Sequence, residues 1–159
     1  MSSAQYFQRP GPSGKDCVAA GFSNAVKLPP NAELVLTAGQ AGIDLSTGQL
    51  VESSAEAQIE ACFDCCDVAL KSAGVVDGLA SAFKIISFLP DQRYDPLMMA
   101  IWRRRYPDHR PIWMSVGSGA LGLKGMVVEL QAEAYVVPGQ VCQLGVIDYL
   151  AALPSTHLC

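Results

Sequence analysis

The sequence is poor in charge and has no basic surplus. Charged residues make up 16% of its 159 positions and the formal net charge is -4, so there is no electrostatic footprint for nucleic acid, whose phosphates would on average be repelled. Long apolar runs are missing as well. The run from Ala82 to Pro90 is interrupted by Lys84 and falls far short of the roughly 20 residues needed to span a bilayer. There are only two histidines, His109 and His157, and neither has an acid, serine or cysteine at a spacing that marks a catalytic triad; they are assigned no role. The N-terminus, Met1-Ser-Ser-Ala-Gln, lacks the basic start and apolar stretch of a secretion signal. A soluble cytoplasmic protein with six reduced cysteines is therefore expected. Half the residues are apolar, which argues against disorder, and the length suits one domain with one core.

What is present reads as alternating strands and helices. Cys17 to Val26 and Glu33 to Ala38 read as two strands around the proline-rich turn at Lys27-Leu-Pro-Pro, and so as a candidate hairpin. Asp44-Leu-Ser-Thr-Gly-Gln-Leu has the content of a tight turn. Ser53 to Lys71 is the clearest helix. Ser53 and Glu56 form a capping box, Gly74 lies past its end, and Ile59, Cys62, Phe63, Cys66, Ala69 and Leu70 make one apolar face. Leu79 to Leu89 is a β-rich run ending at Pro90. A second helix follows, with Asp95 as N-cap and Pro96 at the first helical position, and it ends in Arg103-Arg-Arg before Pro107. Ile112 to Ser118 and Met126 to Val136 close the pattern as strands. The expectation is an α+β domain, a mixed sheet with two helices on one face, followed from residue 138 by an extension whose stretch Val146 to Leu153 reads as a terminal helix.

Three constellations invite a chemical reading. Cys62-x-x-Cys65-Cys66 resembles half a zinc site, but a second matching pair is missing, and Cys62 and Cys66 fit better as small apolar residues on the core face of the helix; no metal is expected. Arg103, Arg104 and Arg105 project about 100° apart around a helix and do not converge on one phosphate, so they read as a solvated helix end. On Met126 to Val136, period-2 geometry sets Glu129, Gln131 and Glu133 opposite Val128, Leu130 and Ala132. On the preceding strand it groups Trp113, Ser115 and Gly117 against Ile112, Met114 and Val116. By pattern alone the polar face reads as solvent or a subunit interface ahead of a catalytic surface.

Ala20-Gly-Phe-Ser-Asn-Ala-Val, Thr37-Ala-Gly-Gln, Asp44-Leu-Ser-Thr-Gly-Gln-Leu-Val, Ala73-Gly, Pro111 and Val128-Glu-Leu-Gln-Ala resemble, in order and spacing, the landmarks of the Rid (YjgF/YER057c-type) family over residues 15 to 137. The resemblance implies a chorismate-mutase-like α+β fold, a homotrimer with small-molecule sites in clefts between subunits, no cofactor, and hydrolysis of amino-acid-derived enamines and imines to a keto acid and ammonia. In that chemistry an arginine on the penultimate strand holds the substrate carboxylate and a glutamate on the last strand helps position or activate water. The glutamate position matches Glu129. The arginine position, two residues after Pro111, is Trp113; the usual tyrosine before Ser23 is Phe22, the serine before Gly39 is Ala38, and the small position after the arginine is Ser115.

Magnitude gives the arginine loss its meaning. A bidentate guanidinium–carboxylate contact contributes about 1.5–3 kcal/mol. Without it a free imino acid should bind badly, and Arg110, three residues from Trp113, faces the other way on an extended strand. An indole at 113 implies a neutral, aromatic or polyenic substrate. The leading expectation is thus an enzyme in which Glu129 is a general acid/base on an enol, enamine or imine, with Trp113 and Phe22 shaping the pocket, Ser115 and Gln131 orienting polar groups, and Ala38 and Gly39 lining it. The alternatives are a deaminase acting on a non-standard imine and a catalytically silent trimer that binds a small molecule or a partner.

Overall fold

A computed structural model describes residues 3–138. The proposed terminal helix, His157, Cys142 and Cys159 lie outside the described residues. None of the described helices is long and apolar enough to cross a membrane.

The chain opens with strand β1 (Gln5–Phe7), helix α1 (Pro12–Ala20) and strand β2 (Ala25–Lys27). Here the structure overturns the expected strand at Cys17 to Val26. Pro12 stands at a helix start, where its missing N–H costs nothing, and Gly21, at φ 109°, takes the left-handed conformation that ends α1 while donating to the carbonyls of Cys17 and Val18. The expected hairpin is absent too: β2 pairs with β1, and β3 (Glu33–Leu36) pairs instead with β7 (Glu129–Val136).

Helix α2 runs over Ala55–Ser72. Its cap is Ser54, whose hydroxyl accepts from Ala57 N at 3.1 Å, rather than Ser53. Gly74 past its end has φ 91°. Strand β5 (Lys84–Leu89) is preceded by a short 3-10 turn over Gly78–Ser81, so only the second half of the β-rich run is strand. In α3 (Asp95–Arg105) Asp95 is the first helical residue and Tyr94 the cap position. Strand β6 (Ile112–Gly117) and β7 follow.

The main sheet runs β3-β7-β5-β6, with the short β4 (Gln40–Ala41) pairing the start of β7 beside β3. Only β5 and β6 run parallel, which makes the sheet mixed as expected. α2 and α3 cover one face. Ile59, Cys62, Phe63, Cys66 and Leu70 of α2 join Met98, Ile101 and Trp102 of α3 over Ile85, Leu89, Leu130 and Ala132 of the sheet, and all are essentially inaccessible. Along β7 burial alternates, with Leu130, Ala132 and Ala134 buried while Glu129, Gln131 and Glu133 face away from the helices.

The three arginines form a helix end that is tied into the fold although Arg104 is exposed; each leaves α3 in a different direction, and Arg104 and Arg105 share Glu60. Arg103 donates to Ala20 O at the end of α1, Arg104 pairs with Glu56 and Glu60, and Arg105 pairs with Glu60 and Asp64 while lying over the rings of Phe63 and Tyr106. The α2 cysteines are structural: Cys62 Sγ donates to Gln40 O at 3.0 Å and Cys65 Sγ to Ile43 O at 3.3 Å. Burial pushes both thiols upward, which favours the neutral donor over the thiolate a metal would need.

Candidate functional site

Residues paired across a sheet share a face, so the register decides which candidate residues meet. Glu129 is opposite Ala41 on one side and Phe88 on the other, and Phe88 is opposite Val116. The next rows of this open face are Gln131–Ile86–Met114 and Leu36–Glu133–Lys84–Ile112. Trp113 is opposite Ile85, which is opposite the buried Ala132. Trp113 therefore stands on the helix face, at 5.1 Å from the Trp102 ring and 6.5 Å from that of Phe63, with its Nε1 donating to Ser87 Oγ.

Within one chain, Trp113 and Glu129 lie on opposite faces of the sheet, so a pocket formed by both would have to draw them from two copies of the chain. Ser115 is likewise on the helix side, its hydroxyl engaged with Asp95 at the start of α3 and with Ser87 of β5. Arg110 gives no substitute clamp, though not for the strand-offset reason, since it lies before β6 begins: its guanidinium donates to the carbonyls of Val18, Pro107 and His109.

Glu129, Gln131, Ala38 and Gly39 do come together. Between β3 and β4 the chain passes through Thr37–Gly39, and this segment is tied to β7 three times. Thr37 N donates to Ala132 O, Ala132 N donates to Thr37 Oγ1 at 3.0 Å, and the Gln131 side-chain amide donates to Thr37 O at 3.2 Å. Gly39 is thereby held against the Glu129 side chain: a Cβ on it would lie 1.9 Å from Glu129 Oε1. Its φ is not positive, so what glycine provides there is space for the present Glu129 rotamer and not conformational freedom. The Glu129 carboxylate has no ion-pair or hydrogen-bond partner among the described residues, whereas Glu133 on the same face is 2.7 Å from Lys84 Nζ. An acceptor seated on a main-chain shelf and left unpaired can take and return a proton.

Phe22 lies in a different place. The segment Gly21–Asn24 runs beside the N-terminal end of β6, with Ser23 N donating to Pro111 O and Ser23 bridged in parallel to Ile112. A cleft of about 290 Å³ lies there, lined by Phe22, Ser23, Lys84, Ile112, Trp113 and Met114 among others. Lys84 is four residues before Phe88, the partner of Glu129, so cleft and acid stand about 13 Å apart along the sheet in one chain. No group of three or more potential metal ligands occurs among the described residues.

A model of the family described as Endoribonuclease L-PSP matches residues 15–136. No curated protein matches the chain. Among solved structures, a protein of unknown function of the conserved Rid family from Yersinia pestis superposes with a TM-score of 0.70 at 19% identity, covering 85% of this chain and all of that one. A member of the YjgF/YER057c/UK114 family from Mycobacterium tuberculosis gives a TM-score of 0.55 at 25% identity, covering 84% of this chain and 100% of that one. A Thermotoga maritima protein described as a putative endoribonuclease gives 0.59 at 23% identity over 86% of this chain and 98% of that one. The family match over residues 15–136, with the shared fold beside it, shows that the chain belongs to the Endoribonuclease L-PSP (YjgF/YER057c/UK114, or Rid) family.

Proposed function

We propose that the protein is a cofactor-independent acid–base enzyme acting on a small enol, enamine or imine, with Glu129 as the proton-transferring group. The observation that carries this reading is the Glu129 carboxylate, seated against Gly39 on an open sheet face without a partner among the described residues. In such a reaction Glu129 removes the proton from the O–H or N–H of the enol or enamine and returns one to the adjacent carbon, leaving the keto or imine form. Hydrolysis of the imine with release of ammonia is one continuation.

A homotrimer is part of the same reading. Leu34 and Leu36 are each 55% exposed and Met114 54%, and all three stand on the open face beside Glu133 and Gln131. A face of this character is ordinarily covered by another chain, and further copies of this chain would enclose Glu129 and exclude water from it. An RNA-cleaving role, as the family description suggests, has little support in the charge distribution, because Arg103, Arg104, Arg105 and Arg110 are all committed within the fold.

The test is wash-in of deuterium from D2O into enolisable neutral aryl ketones, followed by NMR, with ammonia release from 2-aminoacrylate generated in situ as the anionic contrast. Wild type should catalyse the first and show little of the second. Glu129→Gln should lower the rate by about 10²-fold or more, the usual contribution of a general acid/base. Turnover unchanged in Glu129→Gln would overturn the role.

A further inference from the structure

We infer, on the basis of the role proposed for Glu129, that Thr37 and Gln131 are its positioning residues: together they hold a one-residue bulge that carries Gly39 to the Glu129 carboxylate.

The bulge follows from register. Leu36 is opposite Glu133 and Gln40 is opposite Leu130, so three residues, Thr37, Ala38 and Gly39, face two, Gln131 and Ala132. β3 and β4 are thus one strand interrupted by an extra residue. Continued without it, the register of β3 would set Gly39 opposite Leu130, which is buried on the helix face. With it, Ala41 takes the place opposite Glu129, and Gly39 lies against the carboxylate. Re-aiming the chain beside a site is what a bulge does. An extra residue also breaks ladder bonds, and each buried backbone group freed in this way needs another partner.

Thr37 and Gln131 supply those partners by exchanging main chain for side chain. Thr37 N donates to Ala132 O at 2.9 Å, as in an ordinary antiparallel pair. The return bond is different. Ala132 N donates to Thr37 Oγ1 at 3.0 Å instead of to the Thr37 carbonyl. The carbonyl, so released, accepts from the Gln131 side-chain amide at 3.2 Å. Thr37 is only 7% exposed and Ala132 is fully buried, which leaves water poorly placed to replace the hydroxyl. At the far end of the bulge Cys62 Sγ donates to Gln40 O from α2, fixing the point where the strand rejoins β7. Gln131 thereby has a task other than the substrate contact expected from sequence: it acts through Gly39 and Glu129. Removing either side chain leaves the acid in place but lets the shelf beneath it move.

The experiment uses Thr37→Val, which removes the hydroxyl at nearly constant volume, and Gln131→Met, which removes the amide donor at nearly constant length. In the deuterium wash-in assay each should lower kcat by about 10- to 10²-fold, the effect of a displacement of about 1 Å, with KM little changed. Thr37→Ser keeps the acceptor and should restore kcat. The double variant should be no slower than the slower single one, because the two residues hold one element. A second readout needs no turnover. Glu129→Gln should shift the Gly39 amide NMR signal in the wild-type background and leave it in place in the Thr37→Val and Gln131→Met backgrounds, where Gly39 no longer lies against residue 129. Circular dichroism confirms folding, and if Thr37→Val does not fold, Gln131→Met on the open face carries both readouts. Unchanged kcat in both variants while Glu129→Gln is slow, an effect on KM alone, or a Gly39 shift that persists in both backgrounds would overturn the inference. If Glu129→Gln itself leaves turnover unchanged, the acid–base role fails, and the Gly39 signal still decides the positioning.

Discussion

Glu129 Oε1 occupies the space that a Cβ on Gly39 would need, the two points being only 1.9 Å apart. A side chain at 39 and the present rotamer of Glu129 therefore exclude each other. Gly39→Ala should displace the carboxylate at a folding cost of about 1 kcal/mol, that of an off-rotamer side chain. Turnover should fall nearly as far as in Glu129→Gln. Steady-state kinetics beside urea unfolding checks this, and full activity in Gly39→Ala would show that the shelf does not position the acid.

Trp113 is a packing residue of the helix face, so restoring the family arginine there should not rebuild an anion clamp facing Glu129. Trp113→Arg loses ring contacts with Phe63 and Trp102 and sets a guanidinium against aromatic carbon. Lost packing at such a partly buried position should cost about 1–3 kcal/mol in chemical denaturation, with no gain of ammonia release from 2-aminoacrylate.

Arg104 and Arg105 share Glu60 but should differ in worth. Arg104 is 58% exposed, and its ion pairs should contribute about 0.2–1 kcal/mol. Arg105 is 24% exposed, pairs with two carboxylates and covers two rings, so its stem and head are both in contact. Arg105→Ala should destabilise more than Arg104→Ala, and added salt should narrow the gap only in part, as thermal unfolding at two ionic strengths would show.

Burial lowers the pKa of His109 below its ordinary value, partly offset by the hydrogen bond between its Nε2 and Ala82 O. The sign follows from linkage. The unfolded chain takes up the His109 proton first as pH falls, so stability is lost from about pH 6.5 down to the lowered folded-state value and is fully present above that window. In His109→Gln this part of the pH dependence should disappear. Denaturation midpoints between neutral and mildly acidic pH measure it.

RNA offers a negative expectation. With a net charge of -4, the protein should show no binding to a fluorescein-labelled single-stranded RNA by anisotropy at physiological salt, and no cleavage. Tight, salt-sensitive binding would contradict the reading of its arginines as internal ties.

Much of the fold was legible because it follows local rules. The alternation along β7 placed Glu129, Gln131 and Glu133 opposite the core, and helical spacing marked the buried face of α2. What misled was local ambiguity. Val18, Ala19 and Ala20 suit a helix or a strand, and the outcome at α1 depends on Gly21 turning left-handed and on Arg103 and Arg110, from distant positions, donating to the helix's terminal carbonyls. Ser53 and Ser54 compete for one cap, a contest that backbone direction resolves.

The chain's pattern by itself determined the α+β class, the family and the two-sided character of β7, since periodicity and ordered landmarks are properties of neighbours in sequence. Which residues share a site was decided only by tertiary structure. Period 2 states that Trp113 and Ser115 lie together, and that Glu129 and Gln131 do, but it carries no information on whether the two pairs lie together. That depends on pairing register between strands far apart in the chain: β5, between β6 and β7, puts Trp113 with Ile85 and Ala132, and Glu129 with Phe88. A shift of one residue would have exchanged the faces.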